Sequence, residues 1–333
     1  MTRFLRRLAL FSIAFLVLST LLHLFSSRLL LSQLVIARLD SEFRVQAAAS
    51  EILVLGDSQA GAAWPSKFGS GFTFAFGGQT PIHTRHILAR SLAQLSQLDL
   101  LIVQADSHTY SGPRLEDLGL PVFWVRYLDY PGLALELRRP GLLVDWVRGN
   151  WMSYAGESLR LRLAVAARSA ATGAVQELEG LGEARADTFA SLSPSERQRA
   201  GAIRVEWLLG DSPIESAMID AVQATLSTAG EHRIEVVLVS YPVAREVLNE
   251  IPLATLRKVD AITRRIEKNP GVLVWLDYRA LFADRPELFA NANHLNLAGK
   301  RLFTRRIAAD LRRRGIVSQE QVDDMIGAVA ETR

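Results

Sequence analysis

The chain has 333 residues, of which 49% are hydrophobic and 22% are charged, proportions typical of a protein that folds around a core. Its 38 Lys and Arg residues nearly balance its 35 Asp and Glu residues, so the net charge of +3 gives no reason to expect a nucleic-acid partner. Because it contains no cysteine, disulfides, thiolate nucleophiles and zinc–thiolate sites are excluded, and any nucleophile must be an oxygen.

Residues 1–37 are predicted to form a cytoplasmic N-terminus and a membrane anchor. Residues 8–27 contain no Asp, Glu, Lys or Arg, and about 20 such residues are enough to span a bilayer. Arg3, Arg6 and Arg7 precede this stretch, and basic flanks stay in the cytoplasm. A cleaved signal peptide fits less well because residues 29–37 continue apolar. We therefore expect a single-pass protein of the inner (cytoplasmic) membrane with a periplasmic or otherwise extracytoplasmic C-terminal domain.

Strand and helix patterns alternate along most of the remaining chain. The first part of this domain is predicted to cover residues 38–112 and to begin with a connector over residues 38–50. Its predicted strands are 51–55, 72–76 and 98–103, and its predicted helix is 81–98. The second part, residues 206–333, has predicted helices at 215–229, 251–268 and 297–314 and strands at 234–240 and 271–277. The alternation predicts an α/β domain with a parallel sheet covered by helices on both faces.

Residues 113–205 interrupt the alternation and are expected to form an insertion or cap subdomain. Aromatic and basic side chains crowd its first half, with Trp124, Arg126 and Trp151 among them. Such residues can stack on the sugar rings of an anionic polymer, or contact a membrane surface. An ordinary helical core would use the same aromatic residues, and these alternatives stay open.

A serine nucleophile is predicted where the first strand ends. Residues 51–55 are an apolar run that suits a buried parallel strand, and it leads directly into Gly56-Asp57-Ser58. Gly56 allows the sharp turn that would present Ser58 before a helix. The competing interpretation of Ser58 is an ordinary helix N-cap.

A histidine block near the other end supplies the matching base. Asn291-Ala292-Asn293-His294-Leu295-Asn296 stands directly before the last predicted helix. A serine hydroxyl becomes an effective nucleophile only when an imidazole within hydrogen-bond reach removes its proton. The sequence therefore predicts that the fold brings Ser58 and His294 together.

This combination resembles the SGNH (GDSL-type) hydrolase superfamily, and in particular its envelope branch, which includes the alginate-type O-acetyltransferases. That superfamily carries Gly-Asp-Ser after the first strand and Asp-x-x-His before the last helix. The envelope branch continues the second block as His-Leu-Asn followed by a glycine, matched here by His294-Leu295-Asn296 and Gly299. The likeness covers about residues 50–110 and 230–315. It implies a three-layer, flavodoxin-like αβα domain.

The resemblance also implies site residues and shows two departures. Asn291 stands where the family has the aspartate that orients the histidine, so it is the expected orienter, with Asp277, Asp284 or Asp106 as candidate helpers. The family's oxyanion donors would correspond to the backbone N–H of Ser58, the N–H of Gly78 and a third side chain. The third-block asparagine of the family is missing, and Gln104 stands at the strand end where it would lie.

The expected function is a membrane-anchored serine esterase or O-acyltransferase acting on an envelope polysaccharide or other acylated glycan. A membrane protein that supplies the acyl group is a candidate partner. The alternative is a catalytically weak or inactive SGNH-like module that binds glycan within an envelope assembly. No P-loop or Gly-x-Gly-x-x-Gly turn follows the first strand, and no histidines stand at a metal-ligand spacing, so we expect neither a cofactor nor a metal.

Overall fold

A computed structural model describes residues 2–27, 35–116, 118, 124–152, 189–210 and 214–331. The chain divides into two compact units, Met1–Ser41 with Gly119–Gly182 and Glu42–Leu118 with Glu183–Arg333. Residues 153–188, which make up much of the predicted insertion, lie outside the described residues. The predicted boundaries at 37, 112 and 205 stay a prediction.

The second unit is built on a six-stranded sheet. Its strands are β1 (Ile52–Gly56), β2 (Lys67–Phe68), β3 (Gly71–Ala75), β4 (Leu100–Gln104), β5 (Glu235–Ser240) and β6 (Val272–Asp277). Five of them are parallel in the order β3-β1-β4-β5-β6, which is the flavodoxin-like order. The predicted parallel α/β sheet is confirmed. The short edge strand β2 pairs antiparallel with β3 and was not predicted, so the sheet is mixed.

The helices in chain order are α1 (Thr2–Phe25), α2 (Val35–Gln46), α3 (Ser58–Ala63), α4 (Pro81–Ser91), α5 (Pro113–Glu116), α6 (Tyr130–Glu136), α7 (Gly141–Trp151), α8 (Pro194–Leu209), α9 (Ser216–Glu231), α10 (Arg245–Glu250), α11 (Leu253–Glu267), α12 (Leu297–Arg313) and α13 (Gln319–Glu331). A two-stranded hairpin, β7 (Phe289–Asn291) and β8 (His294–Leu295), stands outside the main sheet.

Helices cover both faces of the sheet because alternate residues of its central strands point to opposite sides. Ile52 and Val54 belong to a core cluster with Phe303 and Ile307 of α12. Leu53 and Leu55 are also fully buried, and α4, which packs against both β1 and α9, covers their face. This arrangement is the predicted three-layer architecture.

Several element boundaries differ from the sequence prediction. The helix expected over 81–98 ends at Ser91 and continues as one 3-10 turn, Leu92–Gln94. The helix expected from residue 251 begins at Leu253, with Pro252 as its N-cap. Ile251 is extended, because the residue before a proline is disfavoured from the helical conformation. The expected connector is instead mostly helical, since α2 occupies Val35–Gln46.

The first unit contains the apolar N-terminal helix. Residues Arg3–Phe25 are long enough to cross a membrane, with a mean hydropathy of 2.3 over the most apolar window. A signal sequence fits the same length and composition. In this unit Asp40 of α2 accepts a hydrogen bond of 2.7 Å from the Tyr127 hydroxyl and pairs with Arg126. These bonds attach the middle of α2 to the segment that precedes α6.

Candidate active site

Ser58 stands at the first position of α3, directly after β1. The helix is capped by Asp57, whose Oδ1 accepts the Gln59 N–H at 2.8 Å, so Ser58 is not the N-cap. Its hydroxyl is therefore left for another partner, and the side chain is partly exposed. A side chain at Gly56 would come within 2.6 Å of Gln104 Oε1 and 2.8 Å of Ala60 Cβ. Glycine is required there by this close packing.

The β7–β8 hairpin brings His294 to Ser58. The His294 Nε2 atom lies 2.8 Å from Ser58 Oγ, and its Nδ1 atom lies 2.9 Å from Asn291 Oδ1. The Ser58, His294 and Asn291 that the sequence singled out are thus joined in one continuous chain of hydrogen bonds.

The orientation of the Asn291 amide fixes the tautomer of His294. Asn291 Oδ1 also accepts the backbone N–H groups of Asn293 and His294, each at 3.1 Å. A flipped amide would point its NH₂ group at these two donors, so the oxygen must face the ring. His294 Nδ1 then carries the proton and donates to Asn291. Its Nε2 lone pair is left to accept the Ser58 hydroxyl proton, as a general base requires.

Buried contacts hold the hairpin against α3. Gln59 donates from Nε2 to the carbonyl of Asn293 at 3.0 Å. Asn296 caps α12 by accepting the Gly299 N–H at 3.0 Å. A Cβ on Gly299 would stand 2.2 Å from the carbonyl oxygen of Leu288. The Leu295-Asn296 and Gly299 of the block therefore have a packing role beside His294.

His294 is a neutral imidazole across the physiological pH range. Burial is the main cause, and the positive charge of Arg204 adds to it; together they lower the pKa of His294 to about 3. Arg204 belongs to α8, so this helix lies close to the site. An imidazole that is not already protonated can take the serine proton.

A buried charge cluster lies behind the serine turn. Asp57 Oδ2 accepts from His108 Nε2 at 2.8 Å and from Arg114 Nη2 at 3.0 Å. Burial alone would raise the pKa of Asp57, but attraction to His108 and Arg114 outweighs it and holds this pKa below its ordinary value. Burial lowers the pKa of His108 despite the nearby carboxylate. The pair Asp57 and Arg114 therefore carries the charge.

Gln104 does not serve as the predicted oxyanion donor. Its Nε2 donates to Asp106 Oδ2 at 2.7 Å and faces Gln59 Oε1 at 3.4 Å, while its Oε1 accepts the Asp57 N–H at 2.6 Å. Both amide hydrogens are thus directed to buried partners, and the side-chain oxygen stabilises the Gly56-Asp57-Ser58 turn by accepting the Asp57 N–H. The prediction of a donor role is corrected by this geometry.

Gly78 lies in the turn after β3, with a φ of +80° that favours glycine. The next carbonyl, that of Gln79, accepts a hydrogen bond of 2.9 Å from Arg114 Nη2. The same Nη2 atom bonds Asp57, so Arg114 ties the Gly78 turn to the Ser58 turn. The role of the Gly78 N–H as an oxyanion donor stays a prediction.

Three acidic residues considered as helpers of His294 have other partners. Asp277 bonds Arg279 through Oδ1 at 2.8 Å, and Asp284 forms an exposed pair with Arg245 at 2.7 Å. Asp106 accepts the Tyr241 N–H at 2.6 Å as well as the Gln104 amide. Burial and the charge of Asp57 raise the pKa of Asp106 well above its ordinary value. Asn291 is the group that contacts the imidazole.

The residues predicted to bind substrate lie in the first unit. Trp124 is only 2% exposed, so its ring presents no face to a ligand, and that prediction is corrected. Arg126 pairs with Asp40. Trp151 is 56% exposed and packs edge-on against Trp146, with ring centroids 5.1 Å apart. A ligand role for Arg126 and Trp151 stays a prediction.

Sequence reasoning missed one exposed aromatic residue near the site. Trp207 of α8 is 58% exposed, and the Cζ atom of Arg204 lies 5.1 Å from the centre of its ring. Other residues of α8, Val205, Leu208 and Leu209, line a small cavity together with Gln59, Asp106 and His108. No run or motif in the sequence distinguishes Trp207 from the other aromatic residues. Within the part of the chain that is described, no cluster of three or more potential metal ligands occurs.

Comparison with known proteins leaves the family open. Neither a family model nor a curated protein matches the chain. One solved structure, from Streptococcus pneumonia and provisionally named a platelet activating factor, shares 10% sequence identity with a TM-score of 0.37. The match covers 85% of this chain and 94% of that chain. At this score and identity the likeness decides neither the fold nor the activity.

Arg114→Gln should lower the free energy of unfolding by about 3 kcal/mol or more, because removing one partner of a buried ion pair leaves the other charge uncompensated. Asp57 has a lowered pKa, so its stabilising effect exists above the ordinary value of 3.8 and is lost as the pH falls. The loss in Arg114→Gln should therefore be large at pH 7 and smaller in acid. Urea unfolding at both pH values measures it.

The matched control is Arg245→Gln, which breaks the exposed pair with Asp284. We expect nearly unchanged unfolding, because solvent screens such pairs. Equal effects of the two substitutions would contradict a special role for the buried pair.

Proposed function

We propose that this chain is a membrane-anchored, extracytoplasmic serine esterase or O-acyltransferase of the SGNH superfamily that acts on an envelope glycan. One observation carries the proposal: the hydrogen-bond chain from Asn291 Oδ1 through His294 to Ser58 Oγ, with distances of 2.9 and 2.8 Å. The fixed Asn291 amide leaves Nε2 free of its proton, which is the tautomer that acyl transfer needs.

In the proposed reaction Ser58 Oγ attacks the carbonyl carbon of an acyl ester while His294 Nε2 takes its proton. The tetrahedral intermediate collapses, and His294 returns the proton to the leaving alcohol. Water or a glycan hydroxyl then attacks the acyl-serine by the same route in reverse. Water as acceptor gives an esterase, and a sugar hydroxyl gives a transferase.

The developing oxyanion needs donors that are already in place. The first N–H groups of α3 have no partner within the helix, so the Ser58 N–H at its first position is the proposed first donor. The Gly78 N–H is the proposed second. Arg114 holds the two turns together through Asp57 and the Gln79 carbonyl. The proposed oxyanion hole thus depends on a buried residue that touches no substrate.

A glycan substrate is supported by the surface beside the site. Trp207 offers an exposed ring on which a sugar can stack, and Arg204 over that ring adds a positive charge near His294. This pair replaces Trp124 as the proposed sugar platform. The apolar α1, with arginines in its first two turns, supports anchoring with the domain outside the cytoplasm. A membrane protein that delivers the acyl group is part of the proposal for the transferase.

A non-catalytic glycan-binding module is the second candidate function. It is favoured by the neutral Asn291 at the orienting position, which cannot stabilise an imidazolium by charge. It is also favoured by Gln104, whose amide is directed to Asp106 rather than to the site.

Labelling with a fluorophosphonate probe separates the two functions. We expect the probe to modify the full-length protein at Ser58, because only an activated serine attacks phosphorus at a useful rate. Ser58→Ala should abolish labelling, and Ser227→Ala, which removes an exposed hydroxyl on α9, should not change it. Mass spectrometry locates the adduct. An unlabelled Ser58 in folded protein that still binds glycan would favour the module.

A further inference from the structure

In the first unit, α7 contacts α1. Residues 3–18 of α1 are exposed, whereas Ser19 and His23 are partly buried, and Ser26, directly after the helix, is buried. The covered part of α1 is therefore its last turns. If α1 spans a bilayer with its basic start in the cytoplasm, α7 lies at the level of the outer headgroups.

The outward face of α7 is apolar and aromatic. Leu142 and Gly149 point inward, while Val144 and Trp151 are 50% and 56% exposed. Positions 144, 148 and 151 share one face of a helix. Leu143 flanks this face, and Leu135 at the end of α6 is 83% exposed. A soluble surface rarely groups so many large apolar side chains around a tryptophan.

Basic residues accompany this face. Arg138 and Arg148 are exposed and Arg139 is partly exposed. Residues 135–151 contain three arginines and two acidic residues, Glu136 and Asp145, which gives this segment a net charge of +1. Arg148 lies on the apolar face itself, where a long side chain can keep its charge in the headgroup layer. Tryptophan and arginine beside an apolar face are typical of helices at a membrane surface.

We propose that the segment 135–151 lies in the outer headgroup layer of the membrane that α1 crosses. Val144 and Trp151 insert below the headgroups, and Arg138 meets lipid phosphates together with Arg148, which also pairs with Asp145 at 3.6 Å. The occupant of this face is an anionic lipid surface. The contact of α7 with α1 favours lipid over a protein partner, because a helix beside a membrane-spanning helix lies close to the bilayer. The proposal needs an uncleaved α1 and is independent of the Ser58–His294 chemistry.

The absence of native cysteine allows a clean labelling test. Single variants Val144→Cys and Trp151→Cys of the full-length protein are spin-labelled and reconstituted into vesicles of phosphatidylethanolamine and phosphatidylglycerol. Ile13→Cys in α1 gives the reference for lipid. Leu253 is an apolar residue of the second unit with 61% exposure, and the variant Leu253→Cys gives the reference for water. Collision with oxygen and with a water-soluble nickel complex reports the depth of each label.

For each label we measure the ratio of its collision rate with oxygen to its collision rate with the nickel complex. We expect this ratio to be several-fold higher for the labels at 144 and 151 than for the label at 253. Replacing phosphatidylglycerol by phosphatidylcholine should make both labels shallower. Labels at 144 and 151 that match the one at 253, while the label at 13 is in lipid, would overturn the proposal in favour of a protein partner. A label at 13 in water would also overturn it, because α1 would then not be an anchor.

Discussion

Ser58→Ala and His294→Ala are each expected to lower kcat for acyl release by about 10²-fold or more. In a Ser-His-Asp protease the loss of serine or histidine costs about 2 × 10⁶ in kcat, and the loss of aspartate alone about 3 × 10⁴. The ratio, about 70, is what a serine and histidine contribute without a charged orienter. The Asn291 amide already sets the required tautomer here, so the actual loss should exceed this lower bound.

The double variant Ser58→Ala/His294→Ala should be little worse than either single variant, because the two groups act on one proton. Release of acetate from an acetylated sugar by the purified full-length protein measures all three. The controls are Ser227→Ala and His232→Ala, both on exposed side chains of α9 or its end, and neither should change the rate. Additive losses would show that Ser58 and His294 do not form one device. Unchanged activity in Ser58→Ala would refute the nucleophile.

The sheet could be predicted because its central strands are short apolar runs. Residues 52–55, 100–103 and 236–239 have nearly every side chain buried, and continuous Ile, Leu and Val runs are typical of parallel strands with helices on both faces. The edge strand β2 has only two residues, Lys67–Phe68, and no run of two residues can be recognised in a sequence. The hairpin β7–β8 was missed for the same reason.

The meeting of Ser58 and His294 could be predicted because both stand at ends of regular elements. Ser58 follows a strand, and His294 precedes a long helix, so an α/β fold brings them to one edge of the sheet. The orienting contact of Asn291 is what the resemblance implies, since the family has its orienting aspartate three residues before the histidine. The sequence could not show that two backbone N–H groups fix the Asn291 amide, since that depends on the path of the hairpin.

Arg114 and Gln104 mark the limit of sequence reasoning at this site. Arg114 stands in a short helix of four residues with no motif around it, and its partners Asp57 and Gln79 are distant in the chain. Gln104 was placed correctly at the end of β4, but its direction depends on the neighbouring Asp106. Side-chain direction in a buried polar network is decided by all its members at once.

Asn291→Asp is the variant with the second large expected effect, and it should raise the rate. The carboxylate would accept the same three donors as the amide oxygen, the N–H groups of Asn293 and His294 and the ring Nδ1–H. A negative charge at this distance raises a histidine pKa by about 1–3 units. The same charge stabilises the imidazolium that forms in the transition state. We expect kcat/KM at pH 7 to increase about 10-fold or more.

The pH dependence gives a second readout of the same substitution. His294 must be neutral to act, so activity is lost as the pH falls through its pKa. In the natural chain this pKa is lowered to about 3, and kcat/KM should stay flat from pH 8 to about 5. In Asn291→Asp the acid limb should move up by about 1–3 pH units. Exposed Asn249→Asp on α10 adds the same charge away from the ring and should move nothing.

The direction of the two readouts distinguishes enzyme from module. A faster Asn291→Asp protein with a raised acid limb means that His294 accepts the Ser58 proton in the natural chain and that only the charge is missing. The pKa of His294 can be measured by NMR of its ring protons. A raised His294 pKa in Asn291→Asp, without acyl release by either protein, would mean that the site is assembled but not used for turnover. Glycan affinity that survives Ser58→Ala and falls in Trp207→Ala would then assign the domain to binding. Unchanged rate and unchanged pKa would contradict the contact between Asn291 and His294 on which the proposed function rests.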